Sequence, residues 1–139
     1  MDAIAFLKER TLFSTLSEKE LELVVAFAKQ REFDAGSVIV EEAHPGAYGF
    51  YLILDGRVRV EKGGDLLREL GPGEYFGEVA LILRDTPRTA DVIAVEPTTC
   101  LVMTRWDFRS LIGSHPEISA QIMEELARRL SRTDQALSD

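Results

Sequence analysis

Phe50-Tyr51-Leu52-Ile53-Leu54-Asp55-Gly56-Arg57-Val58-Arg59-Val60-Glu61 is the stretch whose pattern decides the fold. Five apolar residues in a row, Phe50 to Leu54, form one short β-type run. Asp55-Gly56 follows as a two-residue hairpin signal, because both central positions of a type I′ turn need positive φ. Arg57 to Glu61 then alternates polar and apolar residues, as a strand with one wet face does. Outward from this centre, Val38-Ile39-Val40 precedes and Gly63-Gly64 turns the chain into Leu66 to Leu70. Gly71-Pro72-Gly73 makes a further corner, and Val92 to Val95 and Thr99 to Met103 complete the set. Turn residues recur at roughly ten-residue intervals between these runs. The pattern predicts a mainly β fold with flanking helices, an antiparallel β-roll or jelly roll of about eight short strands.

The flanks switch to helical spacing. Ser17 with Glu20 three residues on reads as a capping box, with Leu16 and Leu21 placed for a hydrophobic staple. Leu21, Val24, Val25 and Ala28 continue it, with Lys29 and Arg31 near the negative end of the helix dipole and Asp34-Ala35-Gly36 as its stop. Ile4 to Leu12 predicts another helical turn or two. After the roll, Asp107 to Ile112 reads as a short helix stopping at Gly113. Ser114 or His115 then caps a long last helix, with Pro116 in its first turn and Glu117 just inside. Ile118, Ile122, Met123, Leu126, Leu130 and Leu137 make its apolar stripe. The expected organisation is one domain, 1–139: N-terminal helices 1–36, the roll 37–105 and C-terminal helices 106–137.

Composition narrows the function. Sixteen Lys plus Arg against twenty-four Asp plus Glu give a net charge of −8 over 139 residues. A surface that acidic repels a polyphosphate backbone, so no nucleic-acid polymer is expected as a partner. The single cysteine, Cys100, forms no internal disulfide and supplies no thiolate zinc cluster. No apolar run approaches the roughly 20 residues needed to span a bilayer. The start, MDAIAFLKER, has no signal-peptide core. A soluble, cytoplasmic domain with no membrane partner is the expectation. A metal-dependent enzyme on a similar roll would need two or three clustered histidines with a carboxylate. Only His44 and His115 exist, so no catalytic residue, metal or cofactor is expected.

The chemistry concentrates in Gly73 to Val92. Gly77 leads into Val79 to Leu83, an apolar stretch that could form one or two helical turns whose free N–H groups favour an anion. Glycine there also lets backbone approach a ligand closely. Arg88, held between Pro87 and the small residues Thr89 and Ala90, could grip a phosphate through two parallel hydrogen bonds. Glu78, an acceptor when ionised, suits a pair of sugar hydroxyls. An anion hook and a hydroxyl hook inside a β-roll describe a site for a small phosphorylated sugar derivative.

Phe76-Gly77-Glu78-Val79-Ala80-Leu81 followed by Pro87-Arg88-Thr89-Ala90 resembles the phosphate-binding cassette of cyclic-nucleotide-binding domains. Those domains occur in bacterial catabolite activator proteins, protein kinase A regulatory subunits and cyclic-nucleotide-gated channels. The similarity runs from about Leu12 to Leu137, with the cassette at 76–90. The resemblance implies that Arg88 binds the exocyclic oxygens of the cyclic phosphate, with Ala80 and Thr89 offering backbone N–H groups and Thr89 a hydroxyl. It implies Glu78 on the ribose 2′-hydroxyl, with Gly77 beside it. Ala127-Arg128-Arg129-Leu130-Ser131-Arg132-Thr133 is similar to the activator sequence before its purine-contacting threonine. Thr133, and after it Arg129, are therefore the base-contacting candidates. Two features depart from the activators. Asp134 stands where they have a serine supplied across the dimer, and their DNA-binding domain has no counterpart before Asp139. The implied ligand is cyclic AMP, with cyclic GMP as the alternative, and the implied role is a binding module whose last helix closes as a lid to signal to an unidentified effector.

Plainer roles exist for the same residues. Arg88 could pair with Asp85 or Asp91, Glu78 could cap a short helix, and Thr133 could be a solvated helix position. Arg128, Arg129 and Arg132 read as a charged face balanced by Glu124 and Glu125. Tyr75 and Phe76 are expected in the core beside the pocket, and Trp106 in core packing. His44 reads as a turn residue before Pro45 and His115 as a helix start. The stripe of Met123, Leu126, Leu130 and Leu137 either packs on the roll or pairs two chains as a homodimer, in which case the pocket need no longer switch anything.

Overall fold

The structure, a computed structural model, describes residues 3–40, 49–77 and 90–138. Helix α1 (Ala3–Arg10) and helix α2 (Glu18–Phe27) open the chain. The capping box forms as the sequence predicts: the Glu20 N–H donates to the Ser17 hydroxyl at 3.2 Å, and the Ser17 N–H donates to Glu20 Oε1 at 2.9 Å. Leu16 and Leu21 are both buried beside it. Thr11 ties the end of α1 to the turn that follows it, its hydroxyl donating to the Leu7 carbonyl at 2.8 Å and accepting from the Phe13 N–H at 3.1 Å.

Helix α2 ends earlier than its charge pattern suggests. Lys29–Phe33 is not a helical tail but a strand, β1, paired antiparallel with the last strand through Lys29↔Val102 and Arg31↔Cys100. Its four leading residues are polar and exposed, so no apolar alternation marked it as a strand. An edge strand needs only one hydrogen-bonded neighbour, and polar edges guard against further pairing.

Seven more strands follow: β2 (Val38–Val40), β3 (Gly49–Asp55), β4 (Val58–Lys62), β5 (Asp65–Leu70), β6 (Tyr75–Phe76), β7 (Asp91–Ala94) and β8 (Thr98–Thr104). They form two antiparallel four-stranded sheets, ordered β1-β8-β3-β6 and β2-β7-β4-β5. Gly63-Gly64, both at positive φ, turn β4 into β5 as expected, with Lys62 opposite Asp65.

Asp55-Gly56 does not close a hairpin. Strand β3 pairs with β8 and β6, whereas β4 pairs with β5 and β7, so the turn carries the chain from one sheet to the other. Gly56 has φ +100, and a Cβ there would lie 2.6 Å from the Pro97 carbonyl and 2.7 Å from Thr98 Cα. The turn chemistry was legible, but what decides the pairing partner is which sheet buries Val58, and that is a tertiary choice.

The core has two parts, and they explain the opening stretch. Phe50, Leu52 and Leu54 of β3, with Leu101 and Met103 of β8, pack against the helices beside Leu7, Leu21, Phe108, Leu111 and Ile118. Ile53 and Tyr51 of β3, with Cys100 and Val102, face the roll interior beside Val40, Val58, Val60, Phe76 and Val92. The first sheet is thus covered on both faces, which is why Phe50 to Leu54 is apolar without a break. The second sheet has an outer face in water, and β4 alternates accordingly.

Helix α3 (Arg105–Ser114) begins two residues before its predicted start, because Thr104 and Asp107 form a second capping box. Phe108 and Leu111 face the core, which turns Trp106 outward. It is 62% exposed rather than packed in the core, with the Arg105 guanidinium 5.0 Å from its ring centre. Helix α4 (Pro116–Ser138) starts just after His115, whose Nδ1 lies 3.4 Å from Glu117 Oε1. Its apolar positions divide between two faces. Ile118 and Ile122 are buried and Leu126 packs beside them, whereas Met123 and Leu130 are 61% and 64% exposed.

Candidate functional site

Residues 78–89 connect β6, at the edge of the first sheet, to β7, in the interior of the second. The chain that leads into and out of this segment is therefore anchored at one end in each sheet.

The near end is fixed by the Gly71-Pro72-Gly73 corner. The Gly73 N–H donates to the Ile53 carbonyl at 2.8 Å, and the Ile53 N–H donates to the Glu74 carbonyl at 2.9 Å. The Glu74 carboxylate turns back and accepts from the Gly71 N–H at 2.9 Å. Glu74 is a positioning residue that sequence reasoning passed over; its signal is an acidic side chain three residues after a turn glycine, able to cap the turn's free N–H.

Strand β6 then inserts one aromatic ring into each half of the core. Phe76 is buried in the roll interior, stacked on Tyr51 with ring centres 4.8 Å apart and planes 5° from parallel. Tyr75, half-buried, packs on the helix side 5.5 Å from the Phe50 ring. Both occupy the core positions expected of them, and together they clamp the strand from which the chain departs. Gly77 comes next at φ +85, backbone that an L side chain adopts only with strain.

The far end returns through Ala90, which packs on the interior cluster, into Asp91, opposite Glu61, and Val92, opposite Val60. Val40, Val58, Val60 and Val92 present a wall of branched apolar side chains to Ile53 and Val102. The interior cluster is built of apolar side chains. Its one thiol, Cys100, is pushed up to a pKa of about 12 by burial.

Of the seven residues singled out from the sequence, Gly77 is the one whose backbone and burial are both described. Glu78, Ala80, Arg88 and Thr89 lie outside the described residues, as do His44 and the pairing of Arg88 with Asp85 or Asp91. Arg129 and Thr133 fall on the backbone of α4, with their side chains outside the described set. Arg128 does sit on a charged face, ion-paired with Glu124 and, at 3.4 Å, with Glu125. A separate cavity of about 220 Å³, lined by Phe6, Glu9, Thr11, Pro72 and Gly73, belongs to α1 and the corner rather than to the roll interior. Among the described residues no group of three or more His, Cys, Asp or Glu could hold a metal ion, and no helix is long and apolar enough to cross a membrane.

A helix-flanked roll whose two sheets are bridged by a phosphate-cassette sequence defines a class of regulatory ligand-binding domains. Residues 30–115, well over half of the chain, match the cyclic nucleotide-binding domain family, and the chain belongs to that family. It is 35% identical over 133 residues to the cyclic AMP receptor protein of Thermus thermophilus, covering 92% of this chain and 61% of that protein. It is 31% identical over 137 residues to human cGMP-dependent protein kinase 2, covering 94% of this chain and 18% of the kinase. Among solved structures, the N-terminal domain of a transcriptional regulator from Streptomyces coelicolor A3(2) matches with a TM-score of 0.80 at 26% identity, covering 96% of this chain and 98% of that one. The chain thus spans less than two thirds of either curated relative. What it shares with them is a regulatory, signal-transducing binding domain.

Proposed function

We propose that this chain binds cyclic AMP in the roll and signals its presence by closing α4 over the nucleotide. One observation carries the reading: the Phe-Gly-Glu-Val-Ala-Leu and Pro-Arg-Thr-Ala sequences lie on the stretch of chain from β6 of one sheet to β7 of the other, in a chain of the cyclic-nucleotide-binding family. Arg88, with the N–H groups of Ala80 and Thr89, takes the cyclic phosphate. Glu78, beside Gly77, takes the ribose 2′-hydroxyl, and Thr133 with Arg129 reaches the base from α4. The module performs no catalysis of its own. Cyclic AMP is favoured over cyclic GMP because the Thermus cyclic AMP receptor protein is the more similar of the two relatives. The lid reading rests on the division of α4, whose first turns are held in the core by Ile118 and Ile122 while Met123 and Leu130 are free to change partners. A ligand moves such a helix only by binding its closed position more tightly, so contacts from α4 to the base would do the switching.

A second reading is favoured by the exposed face of α4. Ala120, Met123, Ala127 and Leu130 are all exposed and follow one another at spacings of three, four and three, the seam of a two-stranded coiled coil. Two copies paired along this seam would form a homodimer. The charge of −8 makes a nucleic-acid polymer a poor partner for these residues themselves.

A competition titration of cyclic AMP against cyclic GMP tests competence and base preference together. Tighter binding of cyclic AMP supports the proposal, and no binding of either nucleotide refutes it. Glu78→Ala should weaken binding by about 1.5–3 kcal/mol, the range for hydrogen bonds to a charged group. In that variant 2′-deoxy cyclic AMP should bind as well as cyclic AMP; a further large loss on removing the 2′-hydroxyl would reassign Glu78.

A further inference from the structure

Strand β5, Asp65-Leu66-Leu67-Arg68-Glu69-Leu70, is the open edge of the second sheet, bonded to β4 alone among the described residues. Leu66 and Leu67 are 51% and 58% exposed on it. Charges on an edge ordinarily deter a second chain. Those at Asp65 and Arg68 are exposed, and among the described residues neither enters an ion pair.

The register of β5 gives these two charges an uncommon relation. Arg68 lies opposite Val60, Leu66 opposite Glu61 and Asp65 opposite Lys62, with a bulge between Val60 and Glu61 that leaves Leu67 as the extra residue. Residues two apart on β4 share a face, so Asp65 and Arg68 share one too. In a regular strand residues three apart would point to opposite faces. The bulge therefore brings an acid and a base to the same side of a free edge, with two exposed leucines between them.

We propose that this edge docks a second copy of itself, antiparallel about a two-fold axis, with each Asp65 against Arg68 of the partner subunit and each Leu66 against Leu67 of the partner subunit. The symmetry makes every contact twice: two ion pairs flank two leucine contacts. Sliding the strands by one residue in one direction sets Asp65 against Glu69 of the partner subunit, and in the other direction sets Asp65 against Leu67 of the partner subunit and Arg68 against Gly64 of the partner subunit, so either slip forfeits both ion pairs. Charge complementarity thus selects one register. So short an overlap buries less surface than a stable dimer needs, and the association is weak and concentration-dependent.

The test is sedimentation equilibrium of the full chain carrying Leu130→Glu, which removes the α4 seam as a source of dimers, at concentrations into the hundreds of micromolar. This background should dimerise reversibly. Asp65→Arg and Arg68→Asp added singly should each weaken self-association by at least about tenfold, because each places like charges opposite one another at two positions. An equimolar mixture of those two single variants should dimerise again, since every cross pair is then Arg against Asp. The double variant D65R/R68D should associate as the background does. Circular dichroism melts confirm that each exposed substitution leaves the fold intact. A background that stays monomeric, single variants that associate undiminished, or a mixture that stays monomeric would each overturn the proposal.

Discussion

Gly56 and Gly36 share a backbone sign but differ in surroundings. Both lie at positive φ, +100 and +88, yet a Cβ on Gly36 meets nothing within 4 Å, whereas one on Gly56 enters the Pro97–Thr98 backbone. Gly36→Ala should therefore cost about 1–2 kcal/mol of stability, the price of left-handed backbone alone. Gly56→Ala should cost a further 1–3 kcal/mol or so from overpacking. Urea unfolding of the two variants checks the difference; equal losses would mean the sheet-to-sheet corner is not tightly packed. Cys100 offers a second test at this scale. Burial raises its pKa from 9.0 to about 12, so the folded state holds the thiol proton more tightly than the unfolded chain does. Stability from this group is complete below pH 9 and falls as pH rises from about 9 towards 12. At pH 8 a thiol reagent should label the native protein only as fast as it opens, and label the urea-unfolded chain at once. Rapid labelling of the native protein would contradict the burial. At this scale the sequence was readable where local chemistry decides, as at Ser17 with Glu20. It misled at Trp106, because helix rotation is set by Phe108 and Leu111 two and five residues later.

The elements show what a hydrophobic pattern can and cannot carry. The β3 run was recognisable because it is buried on both faces, and β4 because it is buried on one. Strand β1 was not, because an exposed edge strand of Lys, Gln, Arg and Glu has no apolar signature and its pairing with β8 is a long-range event. Strand β6, two residues long, has too few positions to show any period. In α4 the apolar residues were legible as a set, but their division between core and solvent depends on where the roll lies. That division makes a prediction for the helix. Ile118→Ala should cost about 2–5 kcal/mol of stability, as for deleting a buried aliphatic side chain. Leu130→Glu should leave the stability of the monomer within about 0.5 kcal/mol. Thermal and urea unfolding distinguish the two; a large loss for Leu130→Glu under conditions where the chain is monomeric would mean that this face packs on the roll.

At the scale of the molecule, two sheets share one apolar interior and the chain passes between them repeatedly, at the Asp55-Gly56 corner, the Gly71-Pro72-Gly73 corner and residues 78–89 among other crossings. The roll was legible as a class from the frequency and spacing of its turns. The assignment of strands to sheets was not, because turn residues fix the sharpness of a bend and not the neighbour beyond it. The proposed cassette is read from a different signal: Gly77, Glu78 and Arg88 match a family sequence pattern rather than a hydrophobic period. The central claim is that Arg88 supplies the counter-charge for a cyclic phosphate at the apolar wall of the roll. Calorimetric titration of cyclic AMP into the wild-type chain and into Arg88→Ala tests it most directly. The account predicts saturable one-site binding by the wild type and a loss of about 3–5 kcal/mol in the variant, as expected when one partner of a buried charge pair is removed. Unchanged affinity in Arg88→Ala would contradict it.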